Sequence, residues 1–415
     1  MLLFYNIGIS LFWFGVRLAS LWNEKAKSWI QGRKEWYSAL NKQFGPDENV
    51  IWFHCASLGE FEQGRPLIEM AKENIPDTKI LLTFSSPSGY EKRKNYEGVD
   101  FVSYLPLDTK RNAKKFIDAL PLKAVIFIKY EFWYHYLNEL SKKRIPLFLA
   151  SGIFRPDQIF FKWYGSWYSS FLRCFSHMFV QGEESKELLN SIGFNDVTVA
   201  GDTRFDRVAR VVQTNYQNNS LEKFSESGKV IVAGSTWEPD EELLSHAYQA
   251  LPADYKWIIA PHELSGAHIK RLKNLFTGSL LFTEIDGLIP SDVRVIILDT
   301  MGQLSFIYRY GTISYIGGGF GKGIHNVLEA ATYGLPIIIG PRYQKFSEAI
   351  DLVESGGAFA VHNGNELLST IRQQFSDLKL LKTSSEISRN YVQSKLGATS
   401  VIIEKVCKKT GLDML

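Results

Sequence analysis

At 415 residues the chain is too long for one simple core and calls for two domains, each of roughly 150–200 residues. Hydrophobic residues make up 45% and charged residues 22%, which excludes a disordered chain. A net charge of +3 and a pI near 8.5 give no case for nucleic acid as a partner and suit an anionic ligand or a membrane surface. The three cysteines, Cys55, Cys174 and Cys407, are widely spaced and form no CxxC pair. They read as reduced thiols of a cytoplasmic protein.

The first segment, MLLFYNIGISLFWFGVRLASLW, is strongly apolar, with no basic start and no small-residue cleavage site, so it does not read as a secretory signal. As a helix it is just long enough to cross a bilayer. Asn6, Ser10, Arg17, Ser20 and Glu24 recur on one helical face, the pattern of an anchor lying in the membrane plane. Lys25, Lys27, Arg33 and Lys34 follow and would meet anionic lipid on the cytoplasmic side. A helix packed on its own domain is the third possibility.

From residue 50 onward, short apolar runs alternate with amphipathic stretches: IWFHC, KILLTF, FVSYLP, AVIFI, PLFLA and HMFVQG, with helical patterns such as FEQGRPLIEMAKEN between several of them. This alternation predicts a parallel sheet with helices on both faces. After IWFHC comes Ala56-Ser57-Leu58-Gly59 and then Glu60 at a helix start. Glu60 reads either as a helix-dipole partner or as a base at the carboxyl edge of the sheet. The helix N-terminus would keep it ionised and depress its pKa. Residues 154–179 hold ten aromatics with Arg155, Lys162 and Arg173 among them. They fit a core helix, or a membrane-proximal acceptor surface.

A polar, weakly patterned stretch at 207–228 marks the domain boundary. The division is 1–35 as a membrane anchor, 36–210 as a first Rossmann-like domain and 211–415 as a second. The second half repeats the design: KVIVAG, then STWEPDEELLSHAYQAL, then further strands. The fold class is α/β, with two Rossmann-like halves facing a cleft.

The richest stretch is YIGGGFGKGIHNVLEAATYGLPIIIGP at 315–341. Gly317, Gly318 and Gly319 end a strand, Gly321 and Gly323 bracket Lys322, and a helix is predicted from near Asn326. Such a loop lets backbone N–H groups approach a phosphate. It is neither a dinucleotide fingerprint nor a Walker loop. Asn326 and Glu329 share a helix face, and Glu329 reads as a ribose ligand or as part of a capping box. No zinc spacing, Asp-x-Asp pair or nucleophile elbow is present, so no metal and no cofactor are expected.

The blocks HCASLGEFEQGRPLI, GSTWEPDEE, DTMGQL and GGGFGKGIHNVLEAATYGLPIIIGP resemble the signature of bacterial 3-deoxy-D-manno-octulosonic acid (Kdo) transferases, in order from about residue 50 to 350. The resemblance implies a GT-B fold and inverting transfer of Kdo from CMP-Kdo to a lipid A precursor, at the cytoplasmic side of the inner membrane. It implies Glu60 as general base, Glu131 as the second glutamate of a Glu-x-Glu block whose first is Lys129 here, and Arg204 in place of a family lysine. For the cytidine nucleotide it implies Pro261 and His262 (Pro-Arg in the family), and Met301, Gly302 and Gln303 (Met-Gly-Glu in the family). Gly318, Gly319, Asn326, Val327, Leu328 and Glu329 complete that set. Another nucleotide-sugar transferase with a lipid acceptor, or a binding protein without catalysis, are the alternatives.

Overall fold

The structure is a computed structural model describing residues 1–226 and 228–415. It divides into two compact units, Met1–Arg207 with Gly397–Leu415, and Val208–Leu396.

In the first unit, helices α1 (Leu2–Ala19), α2 (Glu24–Gln31) and α3 (Trp36–Gln43) precede a sheet of seven parallel strands. These are β1 (Asn49–Cys55), β2 (Thr78–Phe84), β3 (Phe101–Tyr104), β4 (Leu122–Ile128), β5 (Leu147–Gly152), β6 (His177–Val180) and β7 (Val197–Val199), in the order β3-β2-β1-β4-β5-β6-β7. The strands are near-continuous runs of buried apolar residues. That is what a sheet covered on both faces requires, because alternation would leave polar side chains in a core. Ile51, Phe53 and Ile126 face one core and Trp52, Val125 and Phe127 the other.

The second unit repeats the plan with β8 (Val230–Thr236), β9 (Lys256–Pro261), β10 (Leu280–Leu281), β11 (Val295–Ile297), β12 (Ile313–Ile316), β13 (Ile337–Ile339) and β14 (Ala358–Ala360), in the order β10-β11-β9-β8-β12-β13-β14. In each sheet the strand order reverses beside the first strand, at β1/β4 and β8/β12. Open α/β sheets place their ligands at the carboxyl ends flanking such a reversal.

One assignment is corrected. Sequence put all of 211–415 in the second domain, but the last helix, Ala398–Thr410, returns to the first unit. Ile402, Ile403, Val406 and Cys407 fill the core beside Ile51 and Phe53. Asp206 fastens its start, accepting from the amides of Gly397 and Thr399 at 2.7 Å each and from the Thr399 hydroxyl at 2.6 Å. A linear boundary cannot show a chain that crosses back.

The aromatic stretch at 154–179 is mostly core: Phe154, Phe171 and Phe175 are buried, with Phe160, Phe161, Trp167 and Tyr168 packed against them. The turn is the exception, with Trp163 at 92% and Tyr164 at 51% exposure. Arg33 was expected at the lipid surface and is not there. Its guanidinium donates to the carbonyls of Leu105, Ser85 and Trp29 at 2.7–3.0 Å. Burial pulls its pKa down to about 9.

Candidate active site

At the carboxyl edge of the first sheet, β1 ends at Cys55, and Ala56-Ser57 lead into helix α4 (Leu58–Asn74). The Ser57 side chain makes no capping bond. Glu60, in the first turn, reaches back to accept the amide of Ala56. This places the carboxylate at the helix start, as the helix-dipole reading expects, but the electrostatics oppose the expected depressed pKa. Burial and then the charge of Glu131 push the Glu60 carboxyl up to about 7, overriding the Ala56 and Ser57 amides and the charge of Lys129. A helix terminus offers a few tenths to ~1 kcal/mol, whereas burial beside a like charge costs more. The outcome is a carboxylate poised for proton transfer near neutral pH.

Glu131 lies just past β4 and is buried. It accepts from His54 Nε2 at 2.8 Å, from the Ser85 hydroxyl at 3.1 Å and from Trp133 Nε1. Burial opposes its charge, but the hydrogen bond and charge of His54, with Trp133 and Ser85, outweigh that and hold it below the usual carboxylate range. The ring is held from its other side as well: Trp52 donates to Thr83 Oγ1 at 2.7 Å, and that hydroxyl lies 2.7 Å from His54 Nδ1. Two carboxylates whose surroundings drive their pKa values apart mark a division of roles. Sequence reading missed His54, Thr83 and Ser85. His54 sits inside the quoted HCASLGE block, but its partner is 77 residues away.

Lys129 joins β4 to this turn with φ +70°, a strained backbone for a residue with a side chain. It is half-buried, and burial, then the charge of Arg204, lowers its pKa. Arg204 opens the helix Thr203–Gln213 and donates Nε and Nη2 to the buried Asp202 at 2.8 and 2.7 Å. A cavity of about 410 Å³ opens beside Glu131, walled by Ala56, Ser57, Ser85 and Trp133, and by Phe12 of α1 and Trp29 of α2.

The second unit presents backbone and rings at the equivalent edge. After β12, Gly318 takes φ +92°. A Cβ on Gly317 would lie 2.3 Å from the Ser235 carbonyl oxygen, and one on Gly319 would lie 2.6 Å from the Gly340 Cα. These glycines let backbones cross at close range. Asp240, in the first turn of the helix Glu238–Ala250, ties the loop down. It accepts from the amides of Trp237 and Gly318 at 2.9 Å each and from the Tyr315 hydroxyl at 2.7 Å.

The helix expected from Asn326 is only Leu328–Ala331, too short to carry a sizeable dipole. Just before it, Asn326 accepts the Leu328 amide at 3.1 Å while its Nδ2 donates to Glu329 Oε1 at 3.1 Å. Val327 and Leu328 are buried in the core, so their side chains face no ligand. Beside the loop, Trp237 Nε1 donates to His325 Nε2 at 2.9 Å, making a near-coplanar pair of rings inclined by 15°. His262 stacks on both, with centroids 4.5 Å from each. Burial, then the charge of His262, lowers the His325 pKa to about 4, so its neutral ring carries its proton on Nδ1. Pro261 ends β9, while Met301 and Gly302 stand exposed on a turn beyond β11, with Gln303 opening the short helix Leu304–Ile307. Among the described residues no group of three or more His, Cys, Asp or Glu could hold a metal ion.

A family model described as 3-deoxy-D-manno-octulosonic-acid transferase matches residues 30–207. The Kdo transferase of Aquifex aeolicus is 27% identical over 370 residues, spanning 85% of this chain and 96% of that one. The probable mitochondrial Kdo transferase of Arabidopsis thaliana is 26% identical over 406 residues, spanning 91% and 89%. In fold, the chain is similar to UDP-GlcNAc 2-epimerase from Neisseria meningitidis bound to UDP-GlcNAc, at a TM-score of 0.60 and 16% identity, covering 87% of this chain and all of that one. Two doubly wound parallel units with this likeness define a GT-B fold, here in an enzyme of the glycosyltransferase class. Within that class the chain is similar to Kdo transferases.

Proposed function

We propose that this protein transfers Kdo from CMP-Kdo to a lipid A precursor, with inversion, at the cytoplasmic face of the inner membrane. Glu60 is the general base. It takes the proton of an acceptor hydroxyl as that oxygen bonds to the anomeric carbon. The bond from that carbon to the phosphate oxygen breaks, and its electron pair leaves with CMP. The observation that carries this reading is the Glu60 carboxyl raised to about 7 beside a Glu131 held ionised by His54. Lys129 and Arg204 supply positive charge on the same edge. The cavity beside Glu131 suits the acceptor.

Donor recognition belongs to the second unit. Gly318, Gly319 and the His325 ring face the phosphate, Asn326 and Glu329 the ribose, and Pro261 with His262 the base, with Met301, Gly302 and Gln303 at its outer side. Val327 and Leu328 contribute through their backbone alone. The test is to incubate the purified protein with CMP-Kdo and tetraacylated lipid A precursor and weigh the product by mass spectrometry. A mass increase of one or more Kdo units is expected. An unchanged acceptor, or a melting temperature raised by UDP but not by CMP, defeats the assignment.

A further inference from the structure

Helix α1 is the one helix among the described residues long and apolar enough to cross a bilayer, yet its first turns are fastened to the first unit. The Tyr5 hydroxyl donates to the buried Asp108 at 2.5 Å and accepts the Tyr134 amide at 3.2 Å. The next residue, Asn6, accepts from His135 Nε2 at 2.7 Å. Tyr5 also packs on Tyr134, Trp167 and Phe171. Toward the other end, Phe12 meets Trp29 of α2 edge-on at 5.7 Å. Both halves of an 18-residue helix, about 27 Å long, therefore touch the same folded unit. A crossing helix would carry Tyr5 and Asn6 through a hydrocarbon core ~30 Å thick, away from Asp108 and His135.

The face turned toward the protein holds Tyr5, Ile9, Val16 and Ala19. Opposite it, Leu3, Ile7, Leu11, Phe14 and Leu18 recur every three or four residues and are exposed. Lys25, Lys27 and Lys34 stand exposed just beyond. The turn bearing Trp163 and Tyr164 leads directly into the helix Ser166–Leu172 on which Tyr5 packs.

We propose that α1 lies in the plane of the membrane, with its Leu3–Leu18 stripe sunk into one anionic leaflet and Trp163 as a second point of insertion. Tyr5 and Asn6 latch the helix to the protein. This rests on the membrane-surface reading above and specifies its geometry. A stripe of apolar residues flanked by lysines is what an anionic phospholipid surface accepts. Aromatic tips settle at the headgroup boundary. The cavity walled by Phe12 and Trp29 then opens at the leaflet, where a lipid-borne acceptor would arrive.

The test places single cysteines at Leu3, Leu11, Leu18 and Trp163 of the full chain. A C174S background is used, Cys55 and Cys407 being buried. Each cysteine carries an environment-sensitive fluorophore. The protein is bound to vesicles of phosphatidylcholine and phosphatidylglycerol with nitroxides at shallow or deep acyl positions. Shallow nitroxides are expected to quench positions 3, 11 and 18 alike, and 163 as well, with binding falling several-fold when phosphatidylglycerol is omitted. Deep quenching centred on position 11 with shallow quenching at 3 and 18 means a crossing helix and overturns the proposal. So does the absence of quenching at all three, and an unquenched position 163 removes the second contact. The readout needs no turnover, so it stands or falls apart from the choice of donor and acceptor.

Discussion

The two units share a topology and a strand-order reversal, yet the edges beside those reversals are built from opposite materials. In the first, titratable side chains influence one another: the buried pair Glu131 and His54 and the half-buried Glu60, with Lys129 and Arg204 nearby. In the second, the groups proposed to face the nucleotide are backbone amides, stacked rings and one carboxylate, and the deeply buried acids Asp240 and Glu241 fasten the structure. On the proposed reading the first edge moves a proton, which needs a perturbed pKa. On the same reading the second edge holds a nucleotide, which needs donors that do not change charge. The same scaffold serves both because function resides in the turns after the strands.

The sharpest way to break this contrast is Glu60→Gln. Turnover should fall by about 10²–10⁴-fold while CMP still raises the melting temperature as in wild type. Steady-state kinetics alongside a thermal shift measurement checks this, and turnover within a few-fold of wild type removes Glu60 as base. Next in size, Glu131→Ala strands the His54, Ser85 and Trp133 donors. It should destabilise the protein by on the order of 3 kcal/mol, as loss of one partner in a buried polar pair does, measured by urea unfolding.

In the second unit, Gly317→Ala drives a Cβ against the Ser235 carbonyl and should cost about 1–3 kcal/mol, with weakened CMP binding. Glu329→Ala should weaken CMP binding by about 1.5–3 kcal/mol, the range for a charged hydrogen bond, without moving the pH profile of kcat. Calorimetric titration of CMP separates these from the first-unit variants. Were Glu329→Ala to lower kcat alone, the division of labour between the edges would be wrong.

The smallest effect concerns pH. The Glu60 pKa of about 7 in the folded protein lies above its ordinary 4.5. The stability contributed by its protonated form is therefore complete below the unfolded pKa and lost as pH rises through about 7. Glu60→Gln should accordingly melt slightly higher than wild type at pH 8, with the gap closing toward pH 5. Glu131→Gln removes the charge that helps raise Glu60 and should move the acid limb of kcat/KM to lower pH. An unmoved limb would leave burial as the whole cause.

Much of this was legible in the linear chain because it is written locally. Strand and helix alternation, the glycine run at 317–323 and the carboxylate one turn after β1 depend on neighbours within a few residues. The family blocks add order to those signals. The glycine loop also shows where local reading stops. Its glycines were visible, but that Gly317 and Gly319 are required by the passing backbones of Ser235 and Gly340 was not.

The sequence by itself determined two parallel α/β units and the positions of Glu60, Glu131 and Glu329. Only tertiary structure decided that Glu60 is raised while Glu131 is held ionised, since both outcomes depend on burial and on His54, brought across 77 residues. It decided also that the last helix returns to the first unit, through Asp206 and a core it could not reach along the chain. It bound the start of α1 to Asp108 and His135, contacts spanning 103 and 129 residues. The physical reason is common to all three. Desolvation and long-range hydrogen bonds are properties of where a residue is buried, and burial is set by the whole fold.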